Sequence, residues 1–157
     1  MSSMLGKSVL ITGGGSGIGR GVARHFAMQG ARVTISGRRE KKLAATSNEM
    51  NGEIAYVVGD VTREDDRKSM IQNSVKYGGR LDALISNAGN MYRSDVADLD
   101  EDELLSIFHS NVIAGMMLVK EAYDHLKRSQ GCIIFVGSVH TQRAFPNASP
   151  YAATKGA

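Results

Sequence analysis

Five short apolar runs, separated by longer polar stretches, constrain this chain more than any other feature. They are Ser8-Val9-Leu10-Ile11-Thr12, Arg32-Val33-Thr34-Ile35-Ser36, Ile54-Ala55-Tyr56-Val57-Val58, Leu81-Asp82-Ala83-Leu84-Ile85-Ser86 and Ile133-Ile134-Phe135-Val136. Each has the length and the β-branched content of a buried strand. The stretches between them read as helices over Gly17 to Gln29, Glu40 to Met50, Arg63 to Tyr77 and Asp100 to Lys127, the last unbroken. Gly30, Asn51-Gly52 and Gly78-Gly79 stop the first three, and a further helix begins near Pro150, a residue suited to a first helical turn. In the first helix Ile18, Val22 and Phe26 share one side and are expected to face the core. Strands apolar on both faces, alternating with helices, predict a parallel sheet covered on two sides. Right-handed crossovers then make it a doubly wound α/β sheet.

The 157 residues fit a single domain, 1–157, large enough for a real core. A hydrophobic share of 42% with 22% charged residues places the chain among soluble globular proteins, and no apolar run reaches the roughly 20 residues that span a bilayer. The net charge of +3 suits an anionic ligand such as a nucleotide. It does not point to nucleic acid, because the densest basic cluster (Arg38, Arg39, Lys41, Lys42) is short and interrupted by Glu40. Cys132, the single cysteine, excludes an internal disulfide and fits a reducing compartment. Its apolar surroundings in sequence predict a small buried side chain, and the scattered methionines read as core. Met1 to Lys7 has no leader-like apolar stretch, so the cytoplasm is the expected location.

Between the first strand and the first helix lies Thr12-Gly13-Gly14-Gly15-Ser16-Gly17-Ile18-Gly19. Glycines there let the backbone turn tightly beside a pyrophosphate, and the helix start offers free N–H groups and the positive dipole end. Gly13, Gly15, Ser16, Gly17, Ile18 and Gly19 are therefore the candidate phosphate cradle. An acid at the end of the second strand would take the ribose 2′-hydroxyl. This chain has Ser36-Gly37-Arg38-Arg39 instead, and a guanidinium matches a 2′-phosphate. NADP(H) is thus favoured, with NAD(H) the alternative. Asp60-Val61, after the third strand, can meet the adenine amino group or cap the next helix. Asn87-Ala88-Gly89, after the fourth, lets the backbone pass near the ligand while Asn87 braces the strands. Ser138 follows the fifth strand, and Tyr151 and Lys155 stand four apart, on one face of the last helix.

With these motifs in order, the chain resembles the short-chain dehydrogenases/reductases, which carry a Thr-Gly-x-x-x-Gly-x-Gly loop, an Asn-Ala-Gly turn and a Ser…Tyr-x-x-x-Lys site. The resemblance runs the length of the chain and implies a Rossmann fold with Asn111, Ser138, Tyr151 and Lys155 as the catalytic set. Tyr151 would protonate the alkoxide in reduction and take the proton in oxidation, beside the Lys155 ammonium. Ser138 would hold the substrate oxygen. Asn111, a poor helix former in mid-helix, would hold a proton-relaying water or serve as a structural amide. His140, two residues after Ser138, could touch substrate, but a surface loop histidine is the favoured reading. His25, His109 and His125 lack metal-ligand spacing. Met91, Tyr92, Thr141, Gln142, Phe145 and Asn147 are placed in loops at the carboxyl ends of strands.

The implied activity interconverts a carbonyl and a secondary alcohol by hydride transfer, on a small molecule such as a 3-oxoacyl thioester, a sugar or a polyol. The implied full-length form is a homo-oligomer without nucleic-acid or membrane partners. Family members continue past the tyrosine helix with further strands and a substrate-covering segment. The 157-residue chain alone is accordingly expected to be a poor enzyme, and the competing reading is a nucleotide-binding or interaction module without turnover.

Overall fold

Val9, Leu10 and Ile11 are all fully buried because their strand is the middle of a sheet with helices on both sides. The computed structural model describes residues 4–50, 53–143 and 145–157. Five parallel strands, β1 (Ser8–Thr12), β2 (Arg32–Gly37), β3 (Ile54–Val58), β4 (Ala83–Ser86) and β5 (Cys132–Phe135), lie in the order β3-β2-β1-β4-β5. The order reverses direction at β1, so the crevice outside the carboxyl ends of β1 and β4 is where such a fold binds ligands. Side-chain alternation splits the core. Val9 and Ile11 pack with Val33, Ile35 and Ala23 on one face; Leu10 and Leu84 pack with Met70, Leu118 and Ala122 on the other.

Helices α1 (Gly17–Met28), α2 (Glu40–Asn48) and α3 (Glu64–Gly78) fall within two residues of the expected limits. Gly79 closes α3 in the left-handed conformation, while the expected stop of α2 at Asn51-Gly52 lies outside the described residues. The buried line of α1 is Gly19, Ala23 and Ala27, small residues one turn apart that let the helix lie close on the sheet. Val22 and Phe26 flank that line, whereas Ile18 points out at 64% exposure, contrary to expectation.

The long helix is not continuous. It divides into α4 (Glu101–Phe108), a π-helical turn (His109–Ile113) and α5 (Ala114–Ser129). Helix α6 (Ser149–Gly156) has Pro150 in its first turn, as expected. Two further corrections concern burial. Cys132 is exposed, because β5 forms the sheet edge and leaves Ile133, Ile134 and Phe135 substantially open. Met70 is core, but Met28, Met91 and Met116 are exposed. The two-sided covering inferred from apolar runs therefore holds for β1, β2 and β4 and weakens at both edges. Among the described residues no helix is long and apolar enough to cross a membrane.

Asp82, buried just before β4, ties the sheet together at its amino end. Its carboxylate accepts from the Ser8 N–H at 3.0 Å and pairs with Lys7 at 3.2 Å and Arg80 at 2.8 Å. Burial alone would raise its pKa, but the Ser8 hydrogen bond and the Lys7 and Arg80 cations outweigh it and hold the carboxyl below its ordinary range.

Candidate active site

The Gly-rich loop is fixed by Thr12 and Asn87. The Thr12 hydroxyl accepts from the N–H groups of Asn87 (3.1 Å) and Ala88 (3.0 Å), and the Asn87 amide donates to the Thr12 carbonyl at 2.8 Å. Two glycines are required by this packing. Gly13 has φ +68°, and a Cβ there would stand 2.8 Å from Asn87 Nδ2. At Gly19 a Cβ would stand 2.5 Å from the Gly13 carbonyl oxygen. The first turn of α1 holds no acid, so its free N–H groups and dipole face the loop unopposed.

Above the carboxyl ends of the strands opens a cleft of about 560 Å³. Its lining joins Gly13, Gly15 and Ser16 of the loop with Arg38 and Arg39 after β2, Asp60 and Val61 after β3, and Asn87, Ala88 and Gly89 after β4. Gly17, Ile18 and Gly19 do not line it. Lys42, Thr62, Asn90, Ser106, His109 and Ser110 do, and sequence reasoning had not singled them out for this. Lys42 was detectable in principle, one helical turn beyond Arg39 in the same basic cluster. Thr62 and Asn90 were too, as the next residues after Asp60-Val61 and Asn87-Ala88-Gly89, whereas Ser106, His109 and Ser110 come into the cleft only through tertiary folding.

The charged groups are mutually arranged. Arg39 donates to the Ser16 hydroxyl at 3.2 Å, which sets a guanidinium beside the loop. Arg38 lies 3.7 Å from the Asp60 carboxylate and 3.4 Å from Asn90 Oδ1, with most of its side chain open to solvent. Asp60 does not cap α3, whose N-cap is Arg63. It accepts instead from the Thr62 N–H (3.0 Å) and hydroxyl (2.8 Å), closing a tight turn. Burial pushes its pKa up, yet the Thr62 bonds and the Arg38 and Arg63 cations prevail and lower it.

Beyond Gly89 stand the residues of the last strand and helix. A Cβ on Gly89 would lie 3.8 Å from Lys155 Nζ and 3.0 Å from Asn111 Oδ1, so the cleft and these side chains are contiguous. Lys155 donates to the Val136 carbonyl at 2.8 Å, and its Nζ sits 5.9 Å from the centre of the Tyr151 ring. Half-burial of this ammonium lowers its pKa from the ordinary 10.5. Ser138 Oγ is 3.0 Å from His140 Nδ1, and the His140 ring meets Tyr151 edge-on at 5.1 Å and Phe145 at 4.3 Å. His140 is thus a half-buried member of the site, not the expected surface residue. Asn111 lies in the π-helical turn, where its amide accepts from the Asn90 N–H (2.7 Å) and donates to the Asn90 carbonyl and the Thr154 hydroxyl (both 3.0 Å). Those bonds occupy the amide in linking the loop after β4 to α6. Among the outer loop residues, Tyr92 accepts from the Asp100 N–H at 2.9 Å and Asn147 holds Ser94 at 3.0 Å. No group of three metal-ligating side chains occurs among the described residues.

Known proteins are similar to this chain in sequence and in fold. The sequence matches the short chain dehydrogenase family over residues 7–157, and the chain belongs to that family. It is 35% identical to L-fucose dehydrogenase of Bos taurus over 97% of this chain and 56% of that protein. It is also 35% identical to glucose 1-dehydrogenase of Gluconobacter oxydans, over 97% of this chain and 59% of that one. A short chain dehydrogenase from Mycobacterium smegmatis superimposes with a TM-score of 0.91 at 31% identity, covering 99% of this chain and 67% of the other. The chain spans little more than half the length of the curated relatives it matches. Family membership implies a nicotinamide dinucleotide, and the Gly-rich cradle, the free start of α1 and the basic cleft fit one.

Proposed function

We propose that this chain carries the dinucleotide site and the proton-transfer residues of an NADP(H)-dependent oxidoreductase that interconverts a carbonyl and a secondary alcohol. The observation that carries the reading is a chain of contacts at the end of a cleft lined by the Gly-rich loop: Ser138 and Tyr151 both adjoin His140, Lys155 Nζ lies 5.9 Å from the centre of the Tyr151 ring, and the same Nζ stands beside Gly89. Gly13, Gly15, Ser16 and the start of α1 would hold the pyrophosphate. Arg38 and Arg39, with Lys42 beside them in the cleft, would take a 2′-phosphate, the basis for preferring NADP(H) to NAD(H). Asp60 and Val61 would border the adenine, and Asn87, Ala88 and Gly89 the remainder.

When bound, the nicotinamide supplies or accepts the hydride. The protein supplies the proton and the geometry. Tyr151 gives its phenolic proton to the carbonyl oxygen as charge develops there, and recovers it in the reverse direction. Ser138 donates to the same oxygen, which fixes its position and stabilises the growing negative charge. The Lys155 ammonium, oriented by the Val136 carbonyl, lies near enough to stabilise the phenolate. Asn111 supports the site by tying the loop after β4 to α6.

For the substrate we favour a sugar or polyol over a 3-oxoacyl thioester, because proteins named for fucose, glucose and ribitol oxidation are among the relatives. The reading treats residues 1–157 as one domain and places the activity in the cytoplasm, in a homo-oligomer acting on small molecules. The test is a panel of aldoses, polyols and oxoacyl thioesters assayed on the full gene product with each of the four nicotinamide dinucleotides. Sugar- or polyol-dependent turnover preferring NADP(H) is expected. Turnover confined to thioesters would overturn the substrate class, and tighter NADH binding would overturn the ribose argument.

A further inference from the structure

Ser138 can help a carbonyl only if its one proton is free, and that depends on a neighbour outside the Ser-Tyr-Lys set. A serine hydroxyl has one proton and two acceptor positions. The Ser138 Oγ accepts from the His140 backbone N–H at 3.2 Å and lies 3.0 Å from His140 Nδ1. The second contact can run either way. If Nδ1 accepts, the serine proton is committed to the imidazole and cannot reach a substrate. A neutral ring would then carry its own hydrogen on Nε2, which is buried with no partner among the described residues. If Nδ1 carries the hydrogen, it donates to Oγ, both acceptor positions of the serine are filled, and its proton points outward. Nε2 lacks a partner in both arrangements, but orphaned buried N–H groups are rarer than under-satisfied acceptors, which favours the second. The ring is packed between Phe145 and Tyr151, with centroids at 4.3 and 5.1 Å.

We propose that His140 is a positioning residue: held as the Nδ1–H form, it orients Ser138 as a donor toward the substrate oxygen and buttresses the Tyr151 ring. This rests on the oxidoreductase reading, and the test separates the two. Nitrogen-15 NMR of the full gene product with labelled histidine reads the tautomer directly. A protonated Nδ1 and a bare Nε2 are expected; a proton on Nε2 with Nδ1 bare would overturn the proposal whatever the enzyme does. In the full gene product, His140→Leu should lower kcat roughly tenfold to a hundredfold, less than the 10²–10³ lost with an oxyanion donor itself. KM and dinucleotide affinity should hardly change. His140→Asn, whose amide can donate from nearly the Nδ1 position, should recover most of the rate. An unchanged kcat in His140→Leu, or no recovery in a folded His140→Asn, would also overturn it. A protonated Nδ1 in a protein that reduces no carbonyl would refute the oxidoreductase reading and leave the hydrogen-bond geometry standing.

Discussion

Tyr151 is the residue on which the proposed chemistry turns, and its surroundings make a sharp prediction. Its ring is held by His140 and lies within reach of Lys155, while the phosphate cradle stands on other elements. Tyr151→Phe in the full gene product should therefore lower turnover by roughly 10²–10⁴-fold, the range for a general acid–base group, with dinucleotide affinity nearly unchanged. Retained activity, measured with a substrate the unmodified protein accepts, would refute the mechanism. Arg38 offers a second test at this scale. It is largely exposed and, among the described residues, held only by a 3.7 Å pair to Asp60 and a 3.4 Å contact to Asn90, which leaves its fork available to a phosphate. Arg38→Asp should reverse the preference toward NADH mainly by weakening NADPH, and titration of both dinucleotides by fluorescence would read it. An equal loss for the two would mean that Arg38 serves the fold and not the 2′-position.

At the level of elements, strands were readable and their surroundings less so. Val9-Leu10-Ile11 and Val33-Thr34-Ile35 announce themselves because a central strand must be apolar on both faces, and the glycine loop is bound to follow where the chain turns at a carboxyl end. The division between α4 and α5 was not readable. Apolar spacing runs on across His109 to Ile113, and the π-helical turn shows itself only where Asn111 bonds to Asn90 and Thr154, distant in sequence. The inward turn of His140 was hidden for the same reason, since Phe145 and Tyr151 close on it only once β5 and α6 are placed. Asp82 gives the elements a measurable link. Its depressed pKa means that its stabilising effect is present above the ordinary value of 3.8 and is lost as pH falls through the folded-state value. Asp82→Asn should cost about 1–3 kcal/mol at neutral pH, toward the lower end because the Lys7 and Arg80 side chains are half open to solvent. The unmodified protein should begin to lose this advantage below about pH 4 and go on losing it as pH falls further. Denaturant unfolding of both forms at neutral pH and pH 3 checks it; a stability difference that stays constant with pH would show that the carboxylate charge contributes nothing.

For the molecule as a whole, the decisive contrast is between its two halves. The side built on β1, β2 and the Gly-rich loop is closed, with Leu10, Ile11, Val33 and Ile35 fully buried. The far side of the sheet is the edge strand β5, where Ile133, Ile134 and Phe135 are 41%, 44% and 56% exposed. Such an edge is a template for pairing with another chain, and apolar side chains there favour association. Purified Met1–Ala157 should therefore bind NADPH weakly and self-associate as concentration rises, since the dinucleotide cradle and the sticky edge belong to different elements. Ile134→Lys places a charge on that edge without touching the cleft, and should shift the size distribution toward monomer while leaving the NADPH titration unchanged. Light scattering coupled to gel filtration reads the first quantity and fluorescence quenching the second. A monomer at every concentration in the unmodified chain would show that the exposed β5 residues do not drive association. Loss of NADPH binding in a folded Ile134→Lys would show that the edge and the cradle are coupled, and the division of the molecule into two independent halves would be wrong.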